Sequence, residues 1–133
     1  MICVDTSVWV SAFRAGRGSR AEQLSGLLDS DQVALPAPVR LEILSGAPFG
    51  EQSRLRRVFS ALPVWYPGED TWARLDEWVT KAVGAGERFG VADLLIAAIA
   101  ADHAAALWTL DLDFERMEAL GMIRLHRVAQ DNT

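Results

Sequence analysis

Thr109-Leu110-Asp111-Leu112-Asp113-Phe114 follows directly on the apolar run Ala106-Leu107-Trp108. A short apolar run of this kind reads as the end of a buried strand. Two carboxylates, two residues apart, then stand at or just past the strand's C-terminal end. In an open α/β sheet that edge is where ligands bind. The start of the chain has the same grammar, with Ile2-Cys3-Val4 followed at once by Asp5-Thr6-Ser7. Two further acids interrupt apolar segments: Glu42 within Val39-Arg40-Leu41-Glu42-Ile43-Leu44, and Asp93 within Val91-Ala92-Asp93-Leu94-Leu95-Ile96. Burying an unpaired carboxylate is costly. No Lys or Arg occupies the strand-end positions beside these acids, so they point to a metal ion as partner.

The segments around these motifs alternate between strand and helix. Strands are expected at 1–4, 32–35, 64–66, 106–110 and 123–126. Helices are expected at 7–13, 38–46, 51–62, 70–83 and 91–105, with a short one capped by Asp113 and ending near Gly121. Ser19-Arg20-Ala21-Glu22 has the form of a capping box and should open another helix through Leu24, Leu27 and Leu28. Pro38 fits the first turn of the helix that carries Glu42. Apolar spacing turns Leu55, Val58, Phe59 and Leu62 inward, and likewise Trp72, Leu75, Trp78, Val79 and Ala82. Gly84 to Gly90 reads as a loop with hinge-like glycines, and residues 129–133 as a tail. Strand–helix alternation predicts a three-layer α/β/α fold around a central parallel sheet.

The 133 residues fit a single domain over 1–133, and half of them are hydrophobic, enough for a real core. No apolar run reaches the roughly 18 residues of a membrane span, and no basic segment precedes the first apolar run, as a signal peptide would require. Cys3 is the only cysteine and forms no internal disulfide. It reads as a small core residue, and a reducing cytoplasm is the simple inference. The net charge of −5 argues against a generally basic nucleic-acid binder. Most of that charge comes from Asp5, Glu42, Asp93 and Asp111, so it belongs to one site and not to the whole surface.

Hard divalent cations such as Mg²⁺ prefer oxygen ligands. A cluster of three or four acids can hold one ion or two, and two ions can clamp the attacking and leaving oxygens of a phosphodiester. Without metal the like charges repel, which raises at least one pKa. Each acid also has a plainer reading. Asp5 fits a helix cap, Glu42 a solvated helix face, Asp93 a first-turn residue favoured by the helix dipole, and Asp113 a cap as readily as a ligand. Their joint order along the chain is the stronger signal.

Four stretches resemble the acidic motifs of the PIN-domain family: Val4-Asp5-Thr6-Ser7, Pro38-Val39-Arg40-Leu41-Glu42-Ile43, Val91-Ala92-Asp93-Leu94-Leu95-Ile96-Ala97-Ala98 and Trp108-Thr109-Leu110-Asp111-Leu112-Asp113-Phe114. The resemblance covers nearly the whole chain and is specifically to the toxin ribonucleases of VapBC-type toxin–antitoxin pairs. It implies a Mg²⁺- or Mn²⁺-dependent endoribonuclease. Asp5, Glu42, Asp93 and Asp111 would be its catalytic, metal-binding acids. Thr6, Ser7 and Thr109 would orient water or a carboxylate, and Asp113 would stand behind the ligands. It further implies a homodimer, and an antitoxin that covers the active site with a basic side chain against the acids. Trp9, Phe13 and the apolar face of 55–62 would supply the antitoxin surface.

Arg14, Arg17 and Arg20 follow the first motif and would contact RNA phosphates, as would a second cluster at Arg54, Arg56 and Arg57. Such contacts position RNA without specifying its sequence. Each cluster reads equally as a solvated helix face. Trp9 is the tryptophan expected to be exposed. Against the nuclease stands a catalytically silent PIN-like module that binds protein or RNA. A haloacid-dehalogenase-type phosphatase needs a second Asp where Ser7 stands, and a Ser7–His103 hydrolase lacks the Gly-x-Ser-x-Gly elbow.

Overall fold

A computed structural model describes residues 1–128, so the tail expected at 129–133 lies outside the described residues. The elements run β1 (Ile2–Val4), α1 (Thr6–Ala15), α2 (Ser19–Asp29), β2 (Val33–Pro36), α3 (Ala37–Gly46), α4 (Gln52–Phe59), β3 (Val64–Trp65), α5 (Glu69–Gly84), α6 (Val91–Asp102), β4 (Ala106–Trp108) and α7 (Asp113–Ala119). The four strands form one parallel sheet in the order β3-β2-β1-β4. Helices pack on both faces, giving the expected three-layer α/β/α fold. No helix among the described residues is long and apolar enough to cross a membrane.

The strand order positions the site. The chain builds outward from β1 through β2 to β3, then returns through α5 and α6 to place β4 on the other side of β1. The order therefore reverses between β1 and β4, and the crevice at their carboxyl ends is the favoured ligand position in such sheets. Both strands are almost wholly enclosed. Cys3, Val4 and Leu107 are completely buried, and burial pushes the Cys3 thiol up to about 12. It is a core residue, as expected. The small side chains Ala97, Ala98 and Ala100 line the buried side of α6 and let that helix approach β2 and β4 closely.

Several local expectations change. The 19–22 capping box does not form, because Gly18 caps α2 at φ 109° and Ser19 is already helical. On α5 the buried stripe is Thr71, Leu75, Trp78 and Ala82. Trp72 and Val79 lie off that stripe at 52% and 48% exposure. Thr71 ties the start of α5 to the end of α6, since its Oγ1 accepts the Gly68 N–H at 3.0 Å and its hydroxyl donates to Asp102. The strand expected at 123–126 reduces to one bridge, Leu107 to Leu125. Val58, expected inward on α4, is 38% exposed, whereas Leu55 and Phe59 are core.

Candidate active site

Asp5 stands one residue past β1. Its N–H donates to the Trp108 carbonyl at 2.9 Å, so sheet bonding continues to the rim and fixes its backbone. It occupies the N-cap position of α1, yet its side chain makes no cap bond. Its carboxylate turns instead towards β4 and is 5% exposed. Oδ2 accepts the Ser7 hydroxyl at 2.8 Å and the Thr109 hydroxyl at 2.8 Å. Ser7 Oγ in turn accepts the Leu110 N–H at 3.0 Å, and Thr109 Oγ1 accepts the Asp111 N–H at 3.0 Å. With both hydroxyl protons on Asp5, the 3.4 Å approach of Ser7 Oγ to Thr109 Oγ1 is a contact and not a third bond. Two hydroxyls thus bind the first motif to the fourth across more than a hundred residues.

Asp111 uses Oδ1 to accept the Asp113 N–H at 2.9 Å. Leu112 occupies the N-cap of α7, so Asp113, expected there, is already the first helical residue, and Asp111 satisfies its N–H. Asp93 lies in the first turn of α6. Asp93, Asp111 and Asp113 each offer one carboxylate oxygen, and these oxygens all lie within 4.8 Å of one another. Asp5 and Glu42 fall outside that tight group but not outside its field. The Asp93 carboxyl is pushed up to about 6, first by burial, then by Asp111, Asp5, Glu42 and Asp113 in that order. Glu42, on exposed α3 surface, accepts the Thr6 hydroxyl at 2.8 Å. Converging carboxylate oxygens form a hard donor set that suits Mg²⁺ or Mn²⁺, so the residues present fit such an ion.

The PIN domain family profile matches residues 2–120. The chain belongs to the PIN-domain family. Ribonuclease VapC11 of Mycobacterium tuberculosis is 34% identical over 120 residues, covering 86% of this chain and 90% of that protein. Among solved structures, VapBC2 from Rickettsia felis bound to a DNA fragment from their promoter aligns with TM-score 0.78 at 24% identity, over 95% of this chain and 98% of that one. VapBC-1 from nontypeable Haemophilus influenzae aligns with TM-score 0.78 at 22% identity, over 95% and 97%. At these identities the two complexes speak to the fold.

This PIN domain also holds a cation that the sequence reading missed. Arg116 Nη2 donates to Asp113 Oδ1 at 2.7 Å, Nη1 pairs with Glu87, and the guanidinium lies 4.9 Å above the Phe89 ring. The available signal was its position three residues after Asp113, a helix-neighbour spacing. Trp9, expected to be exposed, is 1% exposed. Its Nε1 donates to the Val4 carbonyl at 3.2 Å and its ring meets Phe59 edge-on. Of the three arginines after the first motif, Arg14 and Arg17 are exposed, whereas Arg20 donates to Ser11 Oγ at 2.8 Å. His103 stacks on Trp65 beyond the far end of α6, a helix of twelve residues and hence roughly 18 Å long. Ser7 and His103 make no pair.

Proposed function

We propose that residues 1–133 form a single metal-dependent endoribonuclease domain, the toxin of a type II toxin–antitoxin pair, acting in the cytoplasm. The convergence of Asp93, Asp111 and Asp113 carries this reading, and the likeness to a ribonuclease at 34% identity supports it. Asp93, Asp111 and Asp113 would hold Mg²⁺ or Mn²⁺, with Asp5 and Glu42 completing the acidic pocket. Asp113 is thereby promoted from the supporting place that the sequence assigned it. A bound divalent ion supplies charge neutralisation for a phosphodiester and an acidified water. Ser7 and Thr109 hold the Asp5 carboxylate in one orientation, Thr6 does the same for Glu42, and the exposed Arg14, in the last turn of α1, and Arg17, just after it, would meet RNA phosphates. The test is cleavage of single-stranded RNA by the purified protein in Mg²⁺ and in EDTA. Cleavage lost in EDTA and restored by Mg²⁺ or Mn²⁺ is expected. RNA that stays intact in all three conditions would leave the silent binding module.

The antitoxin partner fits a cleft of about 470 Å³ lined by Val10, Phe13, Ile43 and Pro48 together with Glu42, Arg14 and the ion pair of Glu51 with Arg54. Trp9 and Phe59 belong to the core and drop out of this surface. Apolar walls beside the Glu42 carboxylate suit an amphipathic segment carrying a basic side chain. Phe13→Asp is expected to weaken antitoxin binding about tenfold or more, read by calorimetry on variants of unchanged circular dichroism. Unaltered affinity removes the cleft from the interface. A homodimer is supported by the exposed apolar side chains Trp72, Val79 and Val83 on α5, with Val91 at the start of α6. A monomeric mass in light scattering would remove it.

A further inference from the structure

We propose that Arg116 is a positioning residue for the acidic pocket: it holds Asp113 against Glu87 and Phe89 and so sets the gap between the two chain segments that supply the carboxylates. The inference rests on the reading that Asp93, Asp111 and Asp113 hold a divalent ion. Asp111 and Asp113 come from the loop after β4 and the first turn of α7, whereas Asp93 comes from the first turn of α6. No backbone ladder joins those two turns. The segment 85–90 leads into α6 and carries both Glu87 and Phe89. Arg116 reaches this segment from α7 by two routes, an ion pair to Glu87 and the face of Phe89, while its other nitrogen takes Asp113.

A guanidinium can do this because it is planar and forked, donates in two directions at once, and lies flat on an aromatic ring. An ammonium is a point charge and serves one partner well. The bond to Asp113 uses Oδ1 and leaves Oδ2 of the same carboxylate unengaged by Arg116. Arg116 therefore aims Asp113 while tying down the approach to Asp93.

The idea runs against simple electrostatics, which makes it testable. Arg116 is a positive charge beside a cation site. Acting only as a charge, it would repel a divalent ion, and its removal would tighten binding. Acting as a brace, its removal loosens the ligands, and metal affinity falls about 10- to 100-fold, as is usual for residues that orient metal ligands. The experiment is a calorimetric titration of Mn²⁺ into the wild type, Arg116→Ala, Arg116→Lys and Glu87→Gln. Weaker binding is expected in all three variants. Arg116→Lys should fail to rescue because it keeps the charge and loses the fork. Glu87→Gln cuts the far end of the brace without touching the three acids, and it carries the test should Arg116→Ala not fold. Combining Glu87→Gln with Arg116→Lys should cost little more than either change alone, because both break one connection. Tighter binding by Arg116→Ala, or wild-type affinity in both Arg116→Lys and Glu87→Gln, overturns the proposal while the metal site stands. A wild type that binds no Mn²⁺ overturns the metal site and this inference together.

Discussion

Asp93→Asn is expected to abolish RNA cleavage and, in the same sample, to raise the melting temperature of the metal-free protein. The change keeps the shape of the side chain and removes one charge from the pocket. Cleavage should fall by at least about a hundredfold, the upper range for disturbing a metal site. The stability effect follows from the sign of the pKa shift. The Asp93 carboxyl sits near 6 in the folded chain against an ordinary 3.8, so the folded state holds its proton more tightly than the unfolded one. The ionised form therefore costs stability. That cost is complete above about pH 6 and fades as pH falls towards 4, the unfolded value. Asn carries no such cost. After allowance for solvent screening of a half-exposed group, the gain at pH 7.5 is about 1 kcal/mol, a few degrees in a domain of this size. At pH 4 wild type and variant should melt together. If Asp93 served only the dipole of α6, Asn would cost about 0.3–1 kcal/mol and cleavage would survive. Added Mg²⁺ should stabilise the wild type and leave the variant unmoved, because only a species that binds gains by mass action. An Asp93→Asn protein that cuts RNA at the wild-type rate would refute the assignment.

The alternation of strand and helix and the placing of acids beside apolar runs were legible because both are local. The end of β1 announces itself by an apolar run followed at once by Asp5, and that of β4 by an apolar run with Asp111 three residues past it. Pairing order is a different matter. Nothing near Ile2 says that β1 lies between β2 and β4, and that order is what creates the crevice. The pair Ser7 and Thr109 share Asp5 only because those strands are neighbours, so their common role is invisible until the sheet is assembled. Helix faces were legible only in part. Apolar spacing on α5 allows two overlapping stripes, and packing on α6 selects Leu75, Trp78 and Ala82 and leaves Trp72 and Val79 outside. Arg116 was overlooked because the search for cations stopped at strand ends, while its partners arrive from a loop nearly thirty residues earlier.

Trp9 supplies the second large effect, and its sign reverses the sequence expectation of an exposed ring. Trp9→Ala is expected to destabilise the protein by about 3–5 kcal/mol, the range for emptying a buried aromatic site. The ring is completely enclosed, meets Phe59 edge-on at 5.6 Å between centroids and Phe13 at 5.8 Å, and donates to the carbonyl of Val4. Val4 immediately precedes Asp5, so the indole N–H also steadies the backbone that delivers the first acid to the rim. Trp9→Phe separates the two contributions. It keeps an aromatic ring in the core and loses the N–H, which should cost about 1–3 kcal/mol through the stranded carbonyl and the small cavity together. A base-stacking Trp9 would behave otherwise. Alanine would then leave the urea midpoint within experimental error and raise the KM for RNA, and phenylalanine would restore both. Equilibrium unfolding of the two variants in urea, in EDTA so that no metal contributes, distinguishes these outcomes. A midpoint for Trp9→Ala equal to that of the wild type would take Trp9 out of the core.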